Sequence, residues 1–198
     1  MKFTALTTLF AAGLTSAAPA PNATPSPSTT TDVKAFGLMS LRSASPIHFG
    51  TVSASKSNLL INLPEEAQDA TCDANVTNNG ATFSLRDGAL FLYNKDTDEE
   101  QQVWVDRSGM GQGNVGYLSG GQGFPRNAEL TGWTSTDKGD YSYLNFNGAG
   151  LIACPAIPEG SWSIWVNAGV TNPGGSEGCL GFNAMVLPTE EPVSCTYS

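Results

Sequence analysis

From Phe36 to Leu187 the chain alternates short apolar runs with polar ones, and glycine, asparagine, aspartate, serine and proline punctuate the boundaries. Period-two alternation between turn formers is the pattern of strands that bury one face. The runs predict strands over 36–41, 48–53, 59–63, 81–85, 89–93, 102–106, 116–119, 132–136, 142–146, 151–154, 163–166 and 180–187. In one of them Phe83 and Leu85 flank Ser84, so that Ser84 faces the other side. No long amphipathic segment offers the crossover helices that a parallel sheet needs. The predicted fold is all-β, a single antiparallel β-sandwich or barrel.

Turn chemistry sharpens this picture. Arg86-Asp87-Gly88-Ala89 joins two predicted strands, and Asp-Gly supplies the positive φ values of a type I′ hairpin. Asp137-Lys138-Gly139-Asp140 is a looser counterpart, and the segment around Ala54 to Asn58 is a third. Three hairpins would suit a β-trefoil, which stands as the alternative fold, but their spacing is irregular.

The first residues follow different rules. Lys2, the apolar run Phe3 to Leu14 and the small residues Thr15-Ser16-Ala17-Ala18 have the order of a secretory signal, assigned to residues 1–18. The apolar run is too short to span a bilayer. Residues 19–32, rich in Pro, Ser and Thr, are expected to be a disordered leader, and 33–198 the folded domain. In an oxidising compartment Cys72, Cys154, Cys179 and Cys195 are expected to form two disulfides, with all three pairings open. A zinc site is the rival reading, weakened by the lack of C-x-x-C spacing and by a single histidine, His48. Asn22 and Asn75 head glycosylation sequons.

Eighteen acidic against nine basic residues give a formal charge of −9, which argues against nucleic acid or an anionic membrane as partner. The C-terminal VLPTEEPVSCTYS has no apolar tail and does not fit a lipid-anchor signal. Composition does not fix an oligomeric state.

Candidate chemistry is sparse. Gly111-Gln112-Gly113-Asn114-Val115-Gly116 matches G-x-G-x-x-G after a strand-like run, but the glycines and Pro125 that follow preclude the helix that a dinucleotide fingerprint requires. The expectation is a structural glycine loop, with no cofactor. His48 lacks a nucleophile elbow and an evident acid partner. Glycoside hydrolysis needs two opposed carboxylates. Asp106, Glu129, Asp137 and Asp140, near Trp104 and Trp133, are the candidates, and each sits in a turn or polar loop where a structural role is the simpler reading. The acidic run Asp96 to Glu100 lacks the spaced ligands of a calcium loop. No residue is assigned to catalysis, cofactor or metal. Trp104, Trp133, Trp162 and Trp165 are candidates for stacking on sugar rings, against the alternative of core filling with bonded indole N–H groups. Trp162 and Trp165 fall on opposite faces of their strand.

Longer stretches carry a resemblance. LRSASPIHFGTVSAS (41–55), VDRSGMGQGNVGY (105–117), GLIACP, SIWVNAGV and EGCLGFNAMV are similar to the PhiA family of fungal cell-wall proteins, over roughly Phe36 to Ser198. More distantly, the order of one cysteine, a D-G hairpin, a G-W strand pair and three cysteines resembles the C-terminal domain of yeast wall proteins with internal repeats. The glutamine-containing repeats of those proteins are missing here. The PhiA resemblance implies a secreted wall protein needed for phialide and conidium development, with a stress-protective role and allergenic members, and it implies no catalytic residues. The expected partners are therefore wall polysaccharide or neighbouring wall proteins, met through aromatic and amide-rich surfaces. The alternative is a secreted polysaccharide-binding module or a glycoside hydrolase acting on wall glucan or chitin.

Overall fold

The computed structural model describes residues 33–76, 79–96, 100–119 and 121–198, so the expected signal, the leader and Asn22 lie outside it. Its strands in chain order are β1 (Val33–Leu41), β2 (Val52–Ser55), β3 (Asn58–Ile61), β4 (Thr71–Cys72), β5 (Phe83–Arg86), β6 (Ala89–Leu92) and β7 (Gln101–Asp106). There follow β8 (Asn114–Ser119), β9 (Trp133–Asp137), β10 (Ser142–Phe146), β11 (Leu151–Pro155), β12 (Trp162–Val166), β13 (Leu180–Pro188) and β14 (Cys195–Thr196).

Turns set the registers. At Asp87 and Gly88 φ is 49° and 76°, so β5 and β6 close as the type I′ hairpin read from the sequence, with Arg86 opposite Ala89. Lys56 and Ser57 adopt φ of 50° and 61° between β2 and β3 without a glycine. Asn147 and Gly148, at 49° and 76°, fold the chain back after β10 as an Asn-Gly turn, with Phe146 bridging to Ala149. Only the predicted strand over 48–53 is displaced. There Phe49 has φ 61° and the Gly50 N–H reaches the Ile47 carbonyl at 3.1 Å, so residues 47–50 form a turn and pairing resumes with Thr51 opposite Met39.

Among the described residues nine strands close an antiparallel barrel in the order β1-β5-β6-β7-β8-β3-β12-β11-β13 and back to β1. The barrel alternative is thus the one that forms, rather than the sandwich or the trefoil. Alternation supplies its core: Val103 and Val105 of β7, Ile164 and Val166 of β12, and Phe182, Ala184 and Val186 of β13 all point inward and are buried. β13 is long enough to branch the sheet. One edge runs along β1, while the other meets β11 near Phe182 and β10 from Ala184 to Val186, and β9 lies beyond β10.

Of the three cysteine pairings the structure holds Cys72–Cys195 and Cys154–Cys179. The first joins β4 to β14 and fixes the C-terminal segment. Buried Gln101 accepts the Tyr197 N–H at 2.7 Å and donates to the Tyr197 carbonyl at 2.6 Å, and the Tyr117 hydroxyl donates to the Ser198 carbonyl at 2.6 Å. Each buried polar group in this set thereby gains a partner.

Candidate functional site

Where β1 leaves the barrel, the segment 42–50 folds against the sheet. Ile47, fully buried, anchors it, and Gly50 lies so close to Ile61 and Asn62 that a Cβ there would approach each at 2.5 Å. The anchoring fixes Phe49. Its ring is 62% exposed although its backbone sits in the left-handed region, which a bulky residue adopts at a cost. His48 stacks on it with ring centroids 3.9 Å apart, and His48 Nδ1 accepts the Arg42 N–H at 3.2 Å. That bond leaves Nε2 as the hydrogen-bearing nitrogen of the neutral ring. The Arg42 guanidinium is held in turn by a 2.6 Å bond to the Gly181 carbonyl.

This loop forms one wall of an open groove of about 820 Å³ on the outer face of the sheet. Register explains the floor. Leu41 lies opposite Asn183, and Tyr143 lies opposite Met185, all on positions that alternate with buried residues. Tyr141, 57% exposed in the β9–β10 turn, and Asn167 beyond β12 complete the lining. The groove therefore offers aromatic faces beside amide and guanidinium groups, and among the described residues no aspartate or glutamate lines it.

None of the four tryptophans reaches it. Trp133 is 1% exposed and packs edge-on to Phe146 at 5.1 Å, so it has no face open to a sugar. Trp104 covers Gly116 across the β7–β8 pair, where an aromatic ring compensates for the absent side chain. The indole N–H groups of Trp104 and Trp133 have no hydrogen-bond partner among the described residues, in contrast to the bonded indoles expected for core filling. Trp162 packs against the core, whereas Trp165 is on the opposite face, as its spacing predicts. There Trp165 Nε1 donates to Ser163 at 3.0 Å and Gly174 lies against its ring.

The carboxylates are engaged in local structure. Asp106 accepts the Ser108 N–H at 2.8 Å, and Asp137 accepts the Ser142 hydroxyl at 2.5 Å. Glu129 holds Arg107 through two bonds of 2.8 and 2.6 Å, and that hydrogen-bonded guanidinium keeps its carboxyl below the usual range. A general acid would need the opposite shift. Asp140 is exposed in the β9–β10 turn, and neither it nor Asp137 lines the groove. Of the acidic run, Glu100 pairs with Arg86 at 2.6 Å, while residues 97–99 lie outside the described residues. Among the described residues no group of His, Cys, Asp or Glu is placed to hold a metal ion.

The glycine motif links β7 to β8. A Cβ at Gly111 would overlap Asp106 and one at Gly113 would overlap the Val166 carbonyl, while one at Gly116 would come within 2.6 Å of the Trp104 ring. All three glycines are thus explained by close packing, and β8 follows rather than a helix. Asn75 is exposed in the loop after β4, while Thr77 of its sequon is outside the described residues.

Phe49, Tyr141, Tyr143, Asn167 and Asn183 did not emerge as candidates from the sequence. A trace of the site was present, because Phe49 follows His48 within a segment that resembles the wall-protein family.

Comparison with known proteins gives this surface a setting. The family model described as "PhiA-like secreted protein" matches residues 36–198. Proteins named "Cell wall protein phiA" from Emericella nidulans, Aspergillus fumigatus and Aspergillus niger are 44%, 42% and 40% identical. The alignments cover 89%, 83% and 96% of this chain and 91%, 85% and 96% of the respective relatives. No solved structure gives a significant match. With the match spanning the whole barrel, the chain belongs to the PhiA-like family and is a secreted protein of the cell wall.

Proposed function

We propose that the protein acts without catalysing a reaction, as a wall component in asexual development, supporting phialide and conidium formation and protecting against stress. It associates with wall polysaccharide through the groove walled by Phe49 and Tyr141. The observation that carries this reading is Phe49 itself: a rigidly anchored loop presents an apolar ring to solvent from a strained backbone conformation. Folding alone rewards neither feature, and strain of this kind gathers where a ligand is met. A lining of aromatic, amide and guanidinium groups, with no carboxylate among the described residues, supports binding over hydrolysis.

The test is retention of the purified, secreted protein on insoluble conidial wall, with released sugar assayed in parallel. Retention without release is expected, and Phe49→Gly should abolish most of it. Release of sugar would replace this reading with hydrolysis. Absence of retention would replace it with assembly among wall proteins.

A further inference from the structure

Resting on the reading that this groove meets wall polysaccharide, we propose that its ligand is a neutral chain of β-linked, gluco-configured pyranoses. Both β-glucan and chitin supply that chemistry. Charge disfavours two other classes of wall polymer. A polyanion would be repelled at long range by a formal charge of −9, with Arg42 the single guanidinium in the described lining to offset it. A polyamine such as deacetylated chitin would meet Arg42, with no carboxylate among the described lining residues to pair with its ammonium groups.

Ring faces decide the configuration. The negative π face of an aromatic ring attracts the slightly positive hydrogens of a C–H surface. A pyranose with every substituent equatorial presents axial C–H groups on both faces, so it can stack on aromatic rings from either side. Phe49, with His48 stacked on it, and the Tyr141–Tyr143 side both line the groove and come from separate elements. An axial hydroxyl, as in mannose, would set a polar group against one of those rings.

The equatorial hydroxyls then project sideways, where polar groups must receive them. Asn183 stands on the floor opposite Leu41, and Asn167 lies at the edge. An amide carries both donors and an acceptor, which suits vicinal hydroxyls or an acetamido group. Arg42 contributes further donors from a guanidinium already positioned by Gly181.

Calorimetric titration of the secreted protein tests the inference with hexamers of β-1,3-glucose, N-acetylglucosamine, glucosamine and mannose, beside retention on whole wall. Binding of the glucose or N-acetylglucosamine hexamer is expected, the stronger of the two naming the source, with the other two at least about tenfold weaker. Phe49→Gly and Tyr141→Ala should each weaken binding roughly five- to tenfold, about the worth of one aromatic contact. Phe49→Gly keeps the backbone conformation accessible, so its melting temperature serves as the folding control. Comparable binding of the glucosamine or mannose hexamer would overturn the inference, as would unchanged affinity in folded Phe49→Gly. Retention on whole wall without binding of either gluco-configured hexamer would overturn this inference alone. Failure of both retention and binding would remove the proposed function with it.

Discussion

Gly113→Ala is the sharpest test of the packing account. Gly113 has φ 97°, where an L-residue is strained, and a Cβ there would overlap the backbone carbonyl of Val166. That carbonyl belongs to a buried strand, so the loop must lift instead. Lifting lengthens or breaks the 2.8 Å bond from the Val166 N–H to the Gly113 carbonyl and disturbs the bond from the Gly113 N–H to Asp106, also 2.8 Å. The conformational term is about 1–2 kcal/mol, and a buried donor left unpaired adds about 1–3 kcal/mol. Together they predict a loss of roughly 2–5 kcal/mol, which for a domain of this size lowers the melting temperature by roughly 4–20 °C. Gly109→Ala is the matched control in the same segment: nothing lies within 4 Å of its Cβ position and its φ is not positive. It should be neutral or slightly stabilising. Thermal and urea unfolding of both variants would decide the matter. Equal melting temperatures within about 2 °C would refute the reasoning and show that the loop accommodates a side chain by moving freely.

Three further outcomes are expected. The Cys72–Cys195 bridge spans 123 residues and Cys154–Cys179 spans 25. In the chain-entropy model removing the first costs about 5 kcal/mol and the second about 3.5, so paired serine variants compared by urea unfolding should rank in that order, and the reverse order would sink the account. Burial pushes the Tyr197 phenol up to about 12 and raises that of Tyr117 from an ordinary value of 10.0. The neutral phenols favour the folded state, so their contribution is complete below pH 10 and declines as pH rises above it; that of Tyr197 is lost as pH climbs through 12, up to about 2–3 kcal/mol. Unfolding midpoints should therefore fall between pH 10 and 11.5 and fall less in Tyr197→Phe; an identical slope in the variant would contradict this. Asn75, exposed beside the Cys72–Cys195 bridge, is expected to carry an N-glycan, so glycosidase treatment should lower the mass of the secreted protein and Asn75→Gln should remove that shift.

Much of the fold was legible in the sequence because strands and tight turns are local. Period-two alternation fixed which side chains of β7, β12 and β13 face the core, and Asp87-Gly88 fixed the β5–β6 register, since few residue pairs tolerate two positive φ values. The glycine motif could be separated from a nucleotide loop for the same reason, as the residues after Gly116 cannot form a helix. The displaced strand at 48–53 shows the limit of such reasoning. The segment carries strand formers such as Phe49, Thr51 and Val52, yet Gly50 packs against Ile61, eleven positions on, and the chain there folds into a turn.

Tertiary structure decided what local pattern cannot encode. Barrel closure depends on β13 meeting β1, a pairing between the two ends of the domain, and cysteine pairing depends on which loops that closure brings together. The site was hidden for the same reason. Tryptophan is the residue that composition singles out for sugar stacking, but a large apolar ring gains most from burial, and Trp133 went to the core. Phe49 and Tyr141 stand about ninety positions apart in sequence and face one groove only because β1 and β10 both pair with β13. The sequence by itself determined strands, turns and compartment, which follow from neighbouring residues, whereas the surface that meets a partner arose from pairings between residues far apart in the chain.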